Sequence, residues 1–243
     1  MRKIKTSHHS YIHHPLLIAI DGPAGSGKST TARELAKCLK LPYIDTGAMY
    51  RAVTLKVMRA KVSFSDKAKL IQIAKKSKIE LRGTDPTKQK VYLNGKDVTK
   101  AIREPELTKN VFHIAQEPLI RREMVKKQRI MGDKSGGVME GRDIGTVVFP
   151  EADYKFFFVA NEAIRAKRRH QELIAAGKVA DLKKVRKDLR ARDNTDYKRK
   201  EGPLKRAKDA IRLDTSSLTI PQTVDKIIAL IKLNPLKDAK LSE

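Results

Sequence analysis

The chain has 243 residues, with 53 Lys and Arg against 28 Asp and Glu and 40% hydrophobic residues. This length fits one globular domain carrying a small insertion, and the short periodic apolar runs exclude a largely disordered chain. The formal charge of +25 points to an anionic partner of unspecified kind; no stretch reaches the roughly 20 apolar residues of a membrane span and the N-terminus lacks a signal peptide's apolar centre, so a cytoplasmic location is expected.

Residues 1–14 are polar and basic without a sustained period and are expected to form a flexible extension. His8, His9, His13 and His14 have no Cys or carboxylate companion there, and the cluster is read as fortuitous rather than as a metal site. From Leu16 the run LLIAI has the pattern of a strand buried on both faces of a parallel sheet. It ends at Asp21 and gives way to GPAGSGKS (residues 22–29), then to TTARELAKCLK, which has helical spacing. Cys38, alone in the chain, lies near Leu35, Ala36 and Leu39 and is expected to fill core rather than react. Pro42, Tyr43, Ile44 and Asp45 suggest a second strand, with Thr46 capping a helix through Met49, Tyr50, Val53 and Val57.

Residues 63–117 break the strand-helix alternation, with small strands at 79–81 and 91–93 and a hairpin turn at Asn94-Gly95. They are expected to be a subdomain inserted into a core of residues 15–62 and 118–233. Helical spacing returns from Leu119 to Met131, and Val138 and Met139 form a third core strand that runs into Glu140-Gly141-Arg142-Asp143. A loop at the C-terminal end of such a strand is where parallel sheets place ligands. Residues 156–159 give a fourth strand, and a basic helix over 162–173 and a second charged helix ending in RDNTDYKR (192–199) follow. A fifth strand at 211–213, an amphipathic helix over 220–233 and a polar tail (234–243) close the chain. Lysine runs such as Lys75, Lys76 and Lys78, or Lys183, Lys184 and Lys187, are expected on solvated faces.

GPAGSGKS matches the phosphate-binding pattern G-x-x-x-x-G-K-[ST], between an apolar strand and a helix as that pattern requires. Gly22, Pro23, Ala24, Gly25, Ser26, Gly27, Lys28, Ser29 and Thr30 would wrap backbone N–H groups around a nucleoside triphosphate at a helix N-terminus. Lys28 would reach the β- and γ-phosphates, and the Ser29 hydroxyl would hold Mg²⁺. A kinase whose acceptor is an alcohol benefits from a base, whereas one whose acceptor is a phosphate mainly needs like charges neutralised. Arginines suit the second task, and Arg51, Arg142, Arg192 and Arg199 stand beside turns and strand ends.

These residues together make the chain resemble the bacterial-type cytidylate kinases, a branch of the nucleoside monophosphate kinases. The resemblance runs from Leu16 to Leu233 and rests on IAIDGPAGSGKST, IDTGAMYR, NGKDVT, EGRDIGTVVFP and RDNTDYKR in order. It implies an α/β P-loop NTPase fold, a five-stranded parallel sheet flanked by helices with an NMP-side insert (63–117) and a lid (about 161–199). The implied reaction moves the ATP γ-phosphoryl group to CMP or dCMP with Mg²⁺, in a monomer. By resemblance Arg51 and Arg142 clamp the acceptor phosphate, Arg192 lies near phosphate and sugar, and Asp196 and Arg199 lie at ribose and base edge. Asp143 accepts from the cytosine amino group, Arg121 serves the base's acceptor side, and Thr46 keeps a family hydroxyl. Arg165, Arg168 and Arg169 fall in the lid, where Arg165 or Arg169 would close on the transferring phosphoryl group.

The chain departs from the family where Phe112, beside His113, replaces a base-reading serine, and where Glu140 replaces an Asp that orients Mg²⁺ waters or loop backbone. Other readings are a related kinase for UMP, AMP or a small alcohol, and a nucleic-acid-binding ATPase. Against the last stand the 5% aromatic content, the lack of Trp and the lack of a stacking module. An intact kinase whose basic exterior also associates with RNA or ribosomes would reveal itself by salt-dependent binding without sequence preference.

Overall fold

The computed structural model describes residues 15–234, so the N-terminal extension with its His cluster and the tail beyond Asn234 lie outside the described residues. β1 (Leu17–Asp21) leads through the glycine loop into α1 (Lys28–Cys38), β2 (Tyr43–Asp45) and α2 (Thr46–Arg59). The chain then builds α3 (Lys67–Lys76), an antiparallel sheet of β3 (Ile79–Arg82), β4 (Lys90–Leu93) and β5 (Lys96–Asp97), and α4 (Pro105–Ala115). It returns through α5 (Pro118–Ser135), β6 (Gly137–Gly141), β7 (Tyr154–Val159), α6 (Glu162–Ala175), α7 (Leu182–Lys198), β8 (Ile211–Asp214) and α8 (Ile220–Leu233).

The main sheet is parallel throughout, in the order β2-β6-β1-β7-β8. Strand β1 is apolar and buried until Asp21 because both its faces are covered. Ile18 and Ile20 meet Leu35 of α1, Phe156 and Phe158 of β7, and Ile227 and Ile231 of α8, whereas Ala19 faces Met139, Ile144 and Val148 on the other side. The chain passes from β1 to β2 on one side and from β6 to β7 on the other, which opens a crevice where the direction of winding reverses. In register, Ile20 lies beside Glu140 and Asp21 beside Gly141. The loops after β1 and β6 therefore leave the sheet as neighbours.

The insert does not pack as an island. Met49, Val53 and Val57 of α2 and Ile120 and Met124 of α5 share one apolar cluster with Leu70, Val91, Leu93, Leu107 and Ile114. Asn94 (φ 50°) and Gly95 (φ 80°) form the tight turn read from the sequence. Helices α3 and α4, not singled out from the sequence, bury Leu70 and Ala74 or Leu107 and Ile114 fully, with Ile71, Ile73, Val111 and Ala115 packed partly buried beside them. β5 is two exposed residues, too short to show as a strand.

Two sequence expectations need correction. Asp45, not Thr46, caps α2, its Oδ1 accepting the Ala48 N–H at 2.7 Å, while the Thr46 hydroxyl donates to the Glu140 carbonyl at 2.6 Å. Cys38 is exposed, because the buried stripe of α1 runs through Lys28, Thr31, Ala32, Leu35 and Ala36 and leaves its last residue outside. The lysine runs at 75–78 and 183–187 are solvated as expected. Among the described residues no helix is long and apolar enough to cross a membrane.

The exit of the loop from β1 depends on Gly22, where φ is 149° and a Cβ would stand 2.4 Å from the Phe158 carbonyl oxygen. Backbone strain and overpacking each cost a few kcal/mol at such a site, so Gly22→Ala should lose roughly 2–4 kcal/mol. A urea titration should show the midpoint falling with the slope unchanged.

Candidate active site

The glycine loop turns through left-handed conformations at Gly25 (φ 74°) and Gly27 (φ 85°). Gly27 is the N-cap of α1 and no side chain caps that end. The first intrahelical bond recorded there is Thr31 N–H to Gly27 C=O at 3.0 Å, which leaves the preceding amides at the positive end of the helix dipole for an anion. Lys28 is 4% exposed and folds over its own loop, donating to the Pro23 carbonyl at 2.7 Å and lying 3.4 Å from the Ser26 hydroxyl. Burial, and then the field of Arg142, pull its pKa down to about 7 against the opposing pull of Glu140. Ser29 and Thr30 are exposed on the first turn.

The loop after β6 supplies the facing wall. Arg142 donates from Nε to Asp196 Oδ2 at 2.7 Å and from Nη1 to the Gly141 carbonyl at 3.1 Å. Arg51, one turn into α2, is held by Asp45 at 2.9 Å, and its Nε is buried without a partner. Arg192 makes no side-chain hydrogen bond or ion pair among the described residues. It keeps solvent access in a crowded cleft, whose walls, with nearby Arg142, lower its pKa to about 10. Arg199 Nη2 lies 3.7 Å from Asp196 Oδ1, its buried Nε and Nη2 make no hydrogen bond, and burial and then Arg121 lower its pKa. Asp196 works against burial to stay ionised, and Arg142, Arg199 and Arg192 together hold its pKa below the ordinary value.

At the far end of the cleft Arg121 and Asp143, 3% and 6% exposed, form a direct Nη2–Oδ2 ion pair. Arg121 Nη1 also donates to the Ala115 carbonyl at 3.0 Å, and its guanidinium lies 5.6 Å from the Tyr50 ring centre. Phe112, one turn earlier on α4, is 45% exposed, and its ring centre is 3.7 Å from that of His113, which stacks on Phe64 at 4.6 Å.

The arginines of α6 differ from one another. Arg165 is buried, with Nη1 donating to the Ala24 carbonyl at 3.0 Å and to Asp193 Oδ2 at 2.5 Å and Nε donating to the Ala160 carbonyl at 3.1 Å. It works as a strut between the glycine loop, α6 and α7. Arg168 donates to the Thr215 carbonyl at 2.6 Å, whereas Arg169 meets only Glu172 on its own helix, at 2.9 Å, and stays half-exposed. Arg169 is also close enough to Arg192 to depress its pKa.

Sequence reasoning did not single out Asp21 or Asp193. Asp193 shares a buried helical face with Val185, Leu189 and Asp196, a stripe visible in the spacing once α7 is recognised. Glu140 accepts the Tyr43 hydroxyl at 2.7 Å, and burial together with Asp45 and Glu140 keeps that phenol protonated well above its usual range.

The sequence profile described as cytidylate kinase matches residues 18–233. The chain belongs to the cytidylate kinase family. It is 48% identical over 214 residues to a cytidylate kinase of Geobacillus sp. (strain WCH70), covering 88% of this chain and 95% of that one. It is 45% identical to a cytidylate kinase of Anoxybacillus flavithermus over 215 residues, with the same coverage. Among solved structures, an uncharacterised protein of Eubacterium ventriosum superposes over 90% of this chain and 99% of that one with a TM-score of 0.52 at 14% identity, a likeness of fold alone.

Lys28 has a measurable proton linkage. With its pKa near 7 in the ligand-free protein it is mostly neutral at pH 8, and a bound polyphosphate restores the ammonium. ATP binding at pH 8 should therefore draw protons from the buffer, and the uptake should vanish towards pH 6, where Lys28 is already charged. Calorimetry in two buffers of different ionisation enthalpy checks this, and Lys28→Ala should abolish the uptake.

Proposed function

We infer that this protein transfers the γ-phosphoryl group of ATP to CMP or dCMP, giving ADP and the cytidine diphosphate. The observation that carries the reading is the buried Arg121–Asp143 pair at the end of a cation-lined cleft that starts at Lys28. An adjacent carboxylate and guanidinium match the edge of cytosine, whose exocyclic amine donates and whose ring nitrogen and carbonyl accept. Uracil presents the reverse order, with its O4 carbonyl facing Asp143. An acceptor left facing an acceptor costs about 1–3 kcal/mol, so UMP should be the poorer substrate.

The chemistry needs no general base, because the nucleophile is an ionised oxygen of the CMP phosphate. That oxygen forms a new bond to the γ-phosphorus as the bond from the γ-phosphorus to the β–γ bridging oxygen breaks, and ADP leaves with the electron pair. Residues 22–30 hold the donor phosphates and Lys28 follows the transferring group. Arg51, Arg142 and Arg192 neutralise the acceptor phosphate, and Asp196 and Arg199 address its sugar. Arg165 braces the lid through Ala24 and Asp193, which leaves Arg169 as the lid arginine free to reach the phosphoryl group. Thr46 borders the acceptor through its bond to the Glu140 carbonyl.

Mg²⁺ fits this site. The exposed Ser29 hydroxyl is an oxygen donor at the phosphate end of α1, and among the described residues no cluster of three carboxylate, His or Cys ligands competes for a cation. Held by the Ser29 hydroxyl with phosphate oxygens and water, Mg²⁺ would supply positive charge that offsets the charge developing on the phosphates. Membership of the cytidylate kinase family supports a monomer. ATP and CMP as substrates support a cytoplasmic location. The basic exterior leaves room for weak RNA association, which loss of binding at raised salt would expose.

A coupled ADP-release assay with Mg·ATP against CMP, dCMP, UMP, AMP and GMP tests the reading. Turnover of both cytidine nucleotides well above the others supports it, and failure of both overturns it. Lys28→Ala should abolish turnover without lowering the melting temperature, since it removes a desolvated cation rather than packing. Asp143→Asn, which avoids stranding Arg121 as fully as Ala would, should cut the CMP-to-UMP preference roughly 5- to 150-fold, the scale of one misplaced buried hydrogen bond.

A further inference from the structure

Asp21 ends β1 and is 5% exposed, although the strand before it is wholly apolar. Its Oδ1 accepts the Ile144 N–H at 2.9 Å and its Oδ2 the Gly145 N–H at 2.8 Å. Those amides belong to the two residues directly after Arg142 and Asp143. A bidentate carboxylate can satisfy two consecutive amides at once, whereas a neutral amide side chain offers one oxygen and a group that itself donates.

We propose that Asp21 is a positioning residue for the acceptor, bracketing the turn after Asp143 so that Arg142 and Asp143 keep a fixed relation to Lys28 and the glycine loop. The proposal rests on the reading of Arg142 and Asp143 as acceptor-binding groups. Asp21 is one residue from the glycine loop, and among the described residues its carboxylate bonds only to the turn after β6. No cation neutralises it directly. Lys155 on β7 passes its stem across Gly145 and takes its ammonium to the Pro150 carbonyl and Asp209, while Asp143 on the turn and Lys28 on α1 face Asp21 at longer range. Burial accordingly raises the Asp21 pKa to about 7, against the two amides. Below that pH one oxygen gains a proton that points at an N–H, and the bracket loosens.

The test is steady-state kinetics on full-length wild type, Asp21→Asn and Arg142→Gln between pH 6 and 8. In Asp21→Asn at pH 8 the KM for CMP should rise roughly ten- to hundredfold, the scale of a lost hydrogen bond to a charged group, while the KM for ATP stays within about twofold. The wild-type KM for CMP should climb as pH falls through about 7, more steeply than in Asp21→Asn, which shares the titration of the CMP phosphate but not that of the carboxyl. A lower melting temperature with both KM values and the pH profile unchanged would mean a merely structural turn cap and overturn the proposal. An unchanged KM for CMP in Arg142→Gln would overturn the acceptor reading itself; a raised one there beside an unchanged one in Asp21→Asn overturns only the bracket. Should Asp21→Asn not fold, the wild-type amide resonances of Ile144 and Gly145 decide. A shared titration tracking the KM for CMP supports the bracket, and amides that do not titrate overturn it.

Discussion

Parallel pairing of β1 with β6 is the constraint from which the site follows. Asp21 lies beside Gly141 and Ile20 beside Glu140, so the glycine loop and the Arg142–Asp143 turn must emerge side by side from one edge. Antiparallel pairing would send the two loops to opposite ends of the sheet. The apolar packing of Ile18, Ile20, Met139, Phe156 and Phe158 therefore has a functional result, because it brings two polar loops together at one edge, where Asp21 can bond the turn after β6.

What the sheet brings together is electrostatically unfavourable. Two like charges 4 Å apart repel by about 4 kcal/mol at an effective dielectric constant of 20, and this cleft gathers Lys28, Arg51, Arg142, Arg192 and Arg199. Asp45 and Asp196 offset part of that repulsion through Arg51, Arg142 and Arg199. Lys28 and Arg192 have no direct ion pair among the described residues, and burial, then the field of Arg142, depresses their pKa values against the weaker pull of Glu140 and Asp196. A bound anion relieves the same repulsion that destabilises the empty cleft, so affinity for phosphates and the weakness of the ligand-free cleft have one origin.

Much of this was legible in the chain. The continuous apolar runs before Asp21 and within 156–159 marked buried parallel strands, and the glycine pattern marked the loop between β1 and α1. The arginines beside turns were identifiable because a cation at a strand end has few structural purposes. The identity of each partner was not legible. Whether Arg165 or Arg169 is free depends on Asp193 and the Ala24 carbonyl, 28 and 141 residues away in sequence, and nothing local to α6 encodes that contact. The apolar stripes of α3 (Leu70, Ile71, Ile73, Ala74) and α4 (Leu107, Val111, Ile114, Ala115) do carry helical spacing, and what the sequence could not give was that they pack on α2 and α5.

Helix α7 joins the two halves of the cleft. Asp193 ties it through Arg165 to Ala24 of the glycine loop, and Asp196, three residues later on the same face, ties it to Arg142. Beyond its end the Leu204 N–H returns to the Asp196 carbonyl at 2.8 Å, and Gly202 (φ +58°) sits so close to the Arg121–Asp143 pair that a Cβ would collide with both. One helix and its following turn thus reach the glycine loop through Arg165, and then Arg142 and the Arg121–Asp143 pair, in succession. A rigid helix cannot shift at Asp193 without shifting at Asp196, so Arg165 with the glycine loop and Arg142 with the turn after β6 are linked through α7. That linkage suits a reaction in which both nucleotides must be seated before the phosphoryl group moves, because water in a half-filled cleft would otherwise compete as the acceptor.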